Sequence, residues 1–176
     1  MSRIARLAGN VFTALVIAAV GVAAMDPGVA LAQAPGQTET PPQWQGLRLE
    51  RTWLREQRIY DRLGFMFDHS QQRIDAAQDL IDQAKANGKD VAAVQAALDA
   101  FADALQKARP IYESGKGLIA SHQGFDANGR VTDQEPATQT VKALGDKLKE
   151  VRSILEEPGR ALRDAVRDFR EANGPK

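Results

Sequence analysis

Residues 45–86 read QGLRLERTWLREQRIYDRLGFMFDHSQQRIDAAQDLIDQAKA, with large or apolar side chains recurring at alternating spacings of three and four. Written as a heptad, the a positions are Trp53, Tyr60, Phe67, Ile74 and Ile81. The d positions are Leu49, Glu56, Leu63, Ser70, Ala77 and Ala84. On a helix this spacing places one narrow stripe along one face, and a stripe that narrow is buried against other helices. Two more such frames follow. In 91–122 the a positions are Val91, Leu98, Leu105, Tyr112 and Ile119, and the d positions Val94, Phe101, Ala108, Gly115 and His122. In 133–172 they are Val141, Leu148, Leu155, Leu162 and Phe169, with Leu144, Val151, Pro158, Ala165 and Ala172 at d. Strand-like alternation is absent from the sequence. The expectation is an all-α, elongated antiparallel three-helix bundle with coiled-coil-like heptad packing. A monomer is expected, with a dimer sharing the apolar stripes as the competitor.

Punctuation supports these boundaries. Asn87-Gly88 stops the first helix, Asp90 can cap the second, and Gln123-Gly124 stops it. Thr132, with Glu135 three residues on, reads as a capping box for the third helix, which Asn173-Gly174-Pro175 ends. Pro110 falls at an outward f position. Pro158 leaves the heptad phase intact, so the third helix is expected to be one helix kinked near Pro158.

The chain opens with Arg3 and Arg6, an uncharged apolar run from Val11 to Met25, and Ala30-Leu31-Ala32. That order reads as a secretory signal peptide over 1–32, cleaved after Ala32. Residues 33–43, QAPGQTETPPQ, read as a disordered tether, and 44–176 as the helical bundle domain. The expected location is periplasmic or extracellular. Removal of Arg3, Arg6 and Asp26 leaves 21 basic and 22 acidic side chains, a balance that argues against a dedicated nucleic-acid binder. The chain has no cysteine, which excludes disulfides, thiolate metal sites and CxxC redox chemistry.

Two segments carry candidate binding chemistry. Residues 124–135, GFDANGRVTDQE, resemble an EF-hand calcium loop. The resemblance implies Asp126, Asn128, the Arg130 carbonyl, Thr132 and Glu135 as oxygen donors, with Gly129 at the turn. Gly124 departs from it, standing where the motif has aspartate. The same residues also serve as a plain helix–turn–helix connection, through turn-forming Asp126 to Gly129 and the capping box. The second segment is an arginine row, Arg48, Arg51, Arg55, Arg58 and Arg62, at c and f of the first frame. Like charges three and four apart cost about a few tenths of a kcal/mol each, and positive charge is disfavoured near a helix N-terminus. The row reads as a patch for an anionic partner: lipid head groups, an acidic envelope polysaccharide or an acidic protein. The alternative is a solvated face neutralised by Glu50, Glu56 and Asp61, with Asp133, Asp146 and Glu150 of the third helix at the same height. Arg160, Arg163, Arg167 and Arg170 are interleaved with acids and read as an ion-paired surface.

Trp53, Tyr60, Phe65, Met66 and Phe67 form an aromatic-rich segment expected to widen the core stripe. His69 and His122 have no carboxylate or histidine at helical spacing, and no nucleophile elbow, phosphate loop or zinc-protease motif is present. The expected function is therefore non-enzymatic: an exported helical bundle acting by surface contact, as an envelope-associated or chaperone-like protein. In plan it resembles small periplasmic all-helical stress chaperones, without their LTxxQ-type motifs. The alternative reading is a calcium-responsive binding module built on 124–135.

Overall fold

The computed structural model describes residues 42–174; the expected signal peptide and all but the last two residues of the expected tether lie outside them. The chain is an all-α bundle. Helix α1 spans Pro42–Ala86, α2 Ala92–Ser114, α3 Lys116–Ser121 and α4 Gln134–Asn173. At 1.5 Å per residue α1 is about 68 Å long and α4 about 60 Å. Among the described residues no helix is long and apolar enough to cross a membrane. Helix α1 starts two residues inside the segment expected as tether.

The heptad stripes are the core. Trp53, Tyr60, Leu63, Phe67 and Ile81 of α1 are buried with Val94, Leu98, Phe101, Leu105 and Ala108 of α2 and Leu144, Leu148, Val151, Leu155 and Leu162 of α4. Helices α2 and α4 pack most closely, because alanines such as Ala104 and Ala108 face them and Phe101 lies over Gly159. The ring-bearing stripe of α1 holds its axis further out. Gln78 and Gln95 exchange side-chain hydrogen bonds at 2.8–2.9 Å, and Arg109 donates to the Phe67 carbonyl at 2.7 Å, so α1 and α2 run antiparallel. Lys147 donates to Ser114 at 2.7 Å, which with Phe101 over Gly159 makes α2 and α4 antiparallel as well. Helices α1 and α4 are consequently parallel. Gln45 meets Gln134 and Glu56 meets Gly145, each pair 89 residues apart.

Proline disrupts neither long frame. Helix α2 runs through Pro110 and α4 through Pro158, each as one element. Glycine does interrupt. The second frame, expected as one helix to His122, divides at Gly115 into α2 and α3. Gly115 is buried at a d position, where a Cβ would stand 3.0 Å from the Tyr60 ring, which stacks on Tyr112 with centroids 4.4 Å apart. Helix α3 ends at Ser121 with His122 left-handed at φ 33°, before the Gln123-Gly124 stop expected from sequence.

The third long helix is capped differently from the expectation. Asp133, not Thr132, is the cap: its carboxylate accepts the Glu135 N–H at 3.2 Å, while the Thr132 N–H is held by the Gly124 carbonyl at 2.9 Å. The turn itself depends on Gly124, which sits at φ +83° with the α4 backbone so close that a Cβ would lie 2.1 Å from the Ala137 nitrogen. Gly88 also has positive φ, +71°, but faces open space. Gly88→Ala is therefore expected to cost only the left-handed strain, about 1 kcal/mol. Gly124→Ala adds a backbone clash and is expected to cost about 3 kcal/mol or more. Urea denaturation of the two variants checks this, and equal losses would show that Gly124 is not a packing constraint.

Candidate interaction surface

Burying positions a and d turns c and f of α1 to solvent. Arg48, Arg51, Arg55, Arg58 and Arg62 are all exposed. None of the five forms an ion pair or a side-chain hydrogen bond with a described residue. The arginines of α4 behave otherwise. Arg160 pairs with Glu156 at 3.2 Å, and Arg167 with Asp164 at 3.0 Å and Asp168 at 3.1 Å. Spacing alone made the two rows look alike; their counter-ions separate them.

Four of the six acids expected to neutralise the α1 row are engaged elsewhere, while Asp61 and Glu150 are exposed. Glu50 turns sideways and accepts the Val131 N–H at 3.0 Å. Asp133 caps α4, and Asp146 lies 3.7 Å from Lys149 on its own helix. Glu56, at d, points into the α1–α4 interface and is 7% exposed. Its Oε1 lies 2.8 Å from where a Cβ on Gly145 would sit, and its Oε2 has no hydrogen-bond partner. Burial pushes the Glu56 carboxyl up to about 7, against the lowering pull of Arg55 and Lys149. Between residues 44 and 60 the outer face of α1 thus carries positive charge without a counter-charge; Asp61 is the first acid on it.

Apolar side chains share this face. Trp44 is 60% exposed, Leu47 45% and Leu54 40%. Trp44 stands at f, in line with Arg51 and Arg58, and Leu47 and Leu54 occupy b immediately beside the row. From Asp61 onward b is acidic, with Asp61, Asp68, Asp75 and Asp82 all exposed. The frame contained this arrangement, but the sequence reading gave weight to the arginines and missed the apolar row. Phe65, expected in the core with Met66, is 59% exposed while Met66 is buried. The Phe65 ring lies at f, against His69 at 4.2 Å and under Arg73 at 5.9 Å.

Loop 122–133 holds the inner side of this segment. Phe125 is buried and stacks on Trp53, centroids 4.9 Å apart and planes 10° from parallel. Phe125 and Val131 form an isolated antiparallel bridge. Two of the five donors implied by the calcium-loop resemblance, Asp126 and the Arg130 carbonyl, bond within this turn. Asp126 Oδ1 accepts the Asn128 N–H at 2.8 Å and the Arg130 N–H at 2.9 Å. Those bonds, the Arg130 one foremost, hold its carboxyl below the usual range. The Arg130 carbonyl accepts the Asp126 N–H at 2.9 Å. Asn128, Thr132 and Glu135 are exposed. Among the described residues no three His, Cys, Asp or Glu side chains converge as metal donors.

The histidines are local. His69 Nδ1 bonds the Phe65 carbonyl at 2.8 Å and His122 Nδ1 the Ala120 carbonyl at 3.1 Å. An open groove on α4 is lined by Lys149, Arg152, Ser153, Glu156, Glu157 and Arg160, all from one helix. Glu156 there already pairs with Arg152 and Arg160. No protein-family model matches the chain, and no curated protein or solved structure shows significant similarity to it.

The Glu56 carboxyl binds its proton more tightly in the fold than in the unfolded chain, where its ordinary value is 4.5. Its contribution to stability is complete below pH 4.5 and falls as pH rises through about 7. Glu56→Gln, permanently neutral, is expected to flatten this dependence and to exceed the wild type in stability by about 1–3 kcal/mol on the alkaline side. Melting curves across the window check it; parallel curves for the two proteins would mean that Glu56 does not titrate there.

Proposed function

We propose that this protein is an exported, non-enzymatic helical bundle that works by surface contact, binding an anionic partner through the outer face of the first half of α1. One observation carries the reading: five exposed arginines stand in a row, none of them ion-paired with a described residue, on a chain whose formal net charge is zero. Like charges three and four apart repel. A ligand with matching negative charge offsets that cost. Retention of the row without internal neutralisation is thus explained by a partner. Export follows from the reading of residues 1–32, and a native chain beginning at Gln33 would accord with it.

Because net charge is near zero, retention on an anionic resin reports a patch rather than the whole molecule. The exported chain is expected to bind a sulfonate resin at low salt and to elute with a modest rise in salt. Arg51→Gln/Arg55→Gln/Arg58→Gln should pass unretained, while Arg152→Gln/Arg160→Gln/Arg167→Gln, which removes three ion-paired arginines of α4, should still bind. Equal retention of the two triple variants would dismiss the α1 row as the contact surface.

A further inference from the structure

We infer that the anionic partner is a lipid bilayer surface, on which the first half of α1 lies in the plane of the head groups. This rests on the surface-contact reading above and goes further by naming what is contacted. A soluble polyanion satisfies the guanidinium groups but leaves Trp44, Leu47 and Leu54 in water. A bilayer interface satisfies both kinds of side chain at once. Lipid phosphates meet the arginines, whose long stems reach up to the head-group level, and the indole and leucine side chains enter the boundary with the acyl chains. The two sets are arranged for this, since b, c and f are adjacent on the solvent face, and from 44 to 58 they hold only tryptophan, leucine and arginine.

The polarity of α1 sets the extent of contact. From residue 61 the b position is aspartate on each turn of the heptad, which an anionic surface repels. Contact is therefore confined to roughly 20 Å of helix, at 1.5 Å per residue over 44–58. The rest of the bundle lifts away. Phe65 takes no part, because it stands beyond Asp61 with its ring against His69. The fold keeps the contacting side chains available: Trp53, on the opposite side of the same turns, is fixed inward by Phe125, and Glu50 is held by Val131.

The two tryptophans provide the test, because Trp53 is 1% exposed and Trp44 60%. Acrylamide quenching and any emission shift on binding report Trp44. The chain 33–176, which contains every described residue, is mixed with vesicles of phosphatidylcholine alone or with about one-third phosphatidylglycerol. The anionic vesicles are expected to shift Trp44 emission to the blue and shield it from acrylamide, and the neutral ones to do neither. Arg51→Gln/Arg55→Gln/Arg58→Gln should weaken vesicle binding about 100-fold, at about tenfold or less per arginine. Leu47→Ser/Leu54→Ser should keep its salt-dependent retention on sulfonate yet lose the shift. These residues are exposed, so unchanged melting temperatures establish that the variants are folded. Sulfonate retention through the arginines with Trp44 indifferent to anionic vesicles would overturn the lipid assignment and leave a soluble polyanion or acidic protein as the partner. Loss of both would overturn the surface-contact reading as well.

Discussion

The stack of Trp53 on Phe125 organises the working end of this bundle. A long helix with a single apolar stripe gains its stability from what it buries rather than from its own propensity. In the first half of α1 the principal buried ring is Trp53, and the loop between α3 and α4 supplies its partner. That one contact, with the Glu50–Val131 and Gln45–Gln134 hydrogen bonds around it, sets α1 parallel to α4 in fixed register. Rotation of α1 about its axis would bring arginines into the core, which an unpaired charge strongly opposes. The inward tryptophan and the outward arginines are two consequences of the same register.

Glu56 shows the cost of this arrangement. It occupies a core position one turn from Trp53, faces a glycine, and has one oxygen without a partner. Burial favours the neutral form of a carboxyl in that place, and Glu56 lies on the inner side of α1, away from the arginine row. Burial of Glu56 and diversion of Glu50 to the loop leave the electrostatics of that face to the arginines. Further along, the aspartates at b reverse the sign. One continuous helix thus presents a cationic, partly apolar half and an acidic half to solvent.

Most of the architecture was legible in the sequence because it is periodic. Most a and d positions of the three frames lie in or against the core, Ala172 at the end of the third being exposed, and Pro110 at f and Pro158 at d leave their helices continuous. What escaped the pattern is what has no period. Gly115 reads as one small residue in a d row, yet α2 ends at it, where a Cβ would press on the Tyr60 ring. Phe125 is a single aromatic in a turn-rich segment, and only a tertiary contact gives it a role. Thr132 and Asp133 are equally good caps by composition; in the fold it is the Asp133 carboxylate that reaches the Glu135 N–H. At the candidate surface the arginine row was plain, whereas Trp44, Leu47 and Leu54 were hidden because exposed apolar residues stand out only once the buried face is known. In the loop that resembles a calcium site, Asp126 and the Arg130 carbonyl also bond within the turn that carries Phe125 to Trp53.

The chain has no cysteine, so single introduced thiols can map the proposed contact face without competing thiols in the same chain, in envelopes of cells that export it as proposed. Accessibility of Arg51→Cys and Arg58→Cys to a membrane-impermeant maleimide, compared with Asp103→Cys on α2 and Arg160→Cys on α4, is the most direct measurement. All four positions are exposed in the isolated bundle. Protection confined to Arg51→Cys and Arg58→Cys, and relieved by detergent, is the expected result. Equal labelling of all four thiols in intact envelopes would contradict a role for the outer face of α1 in binding.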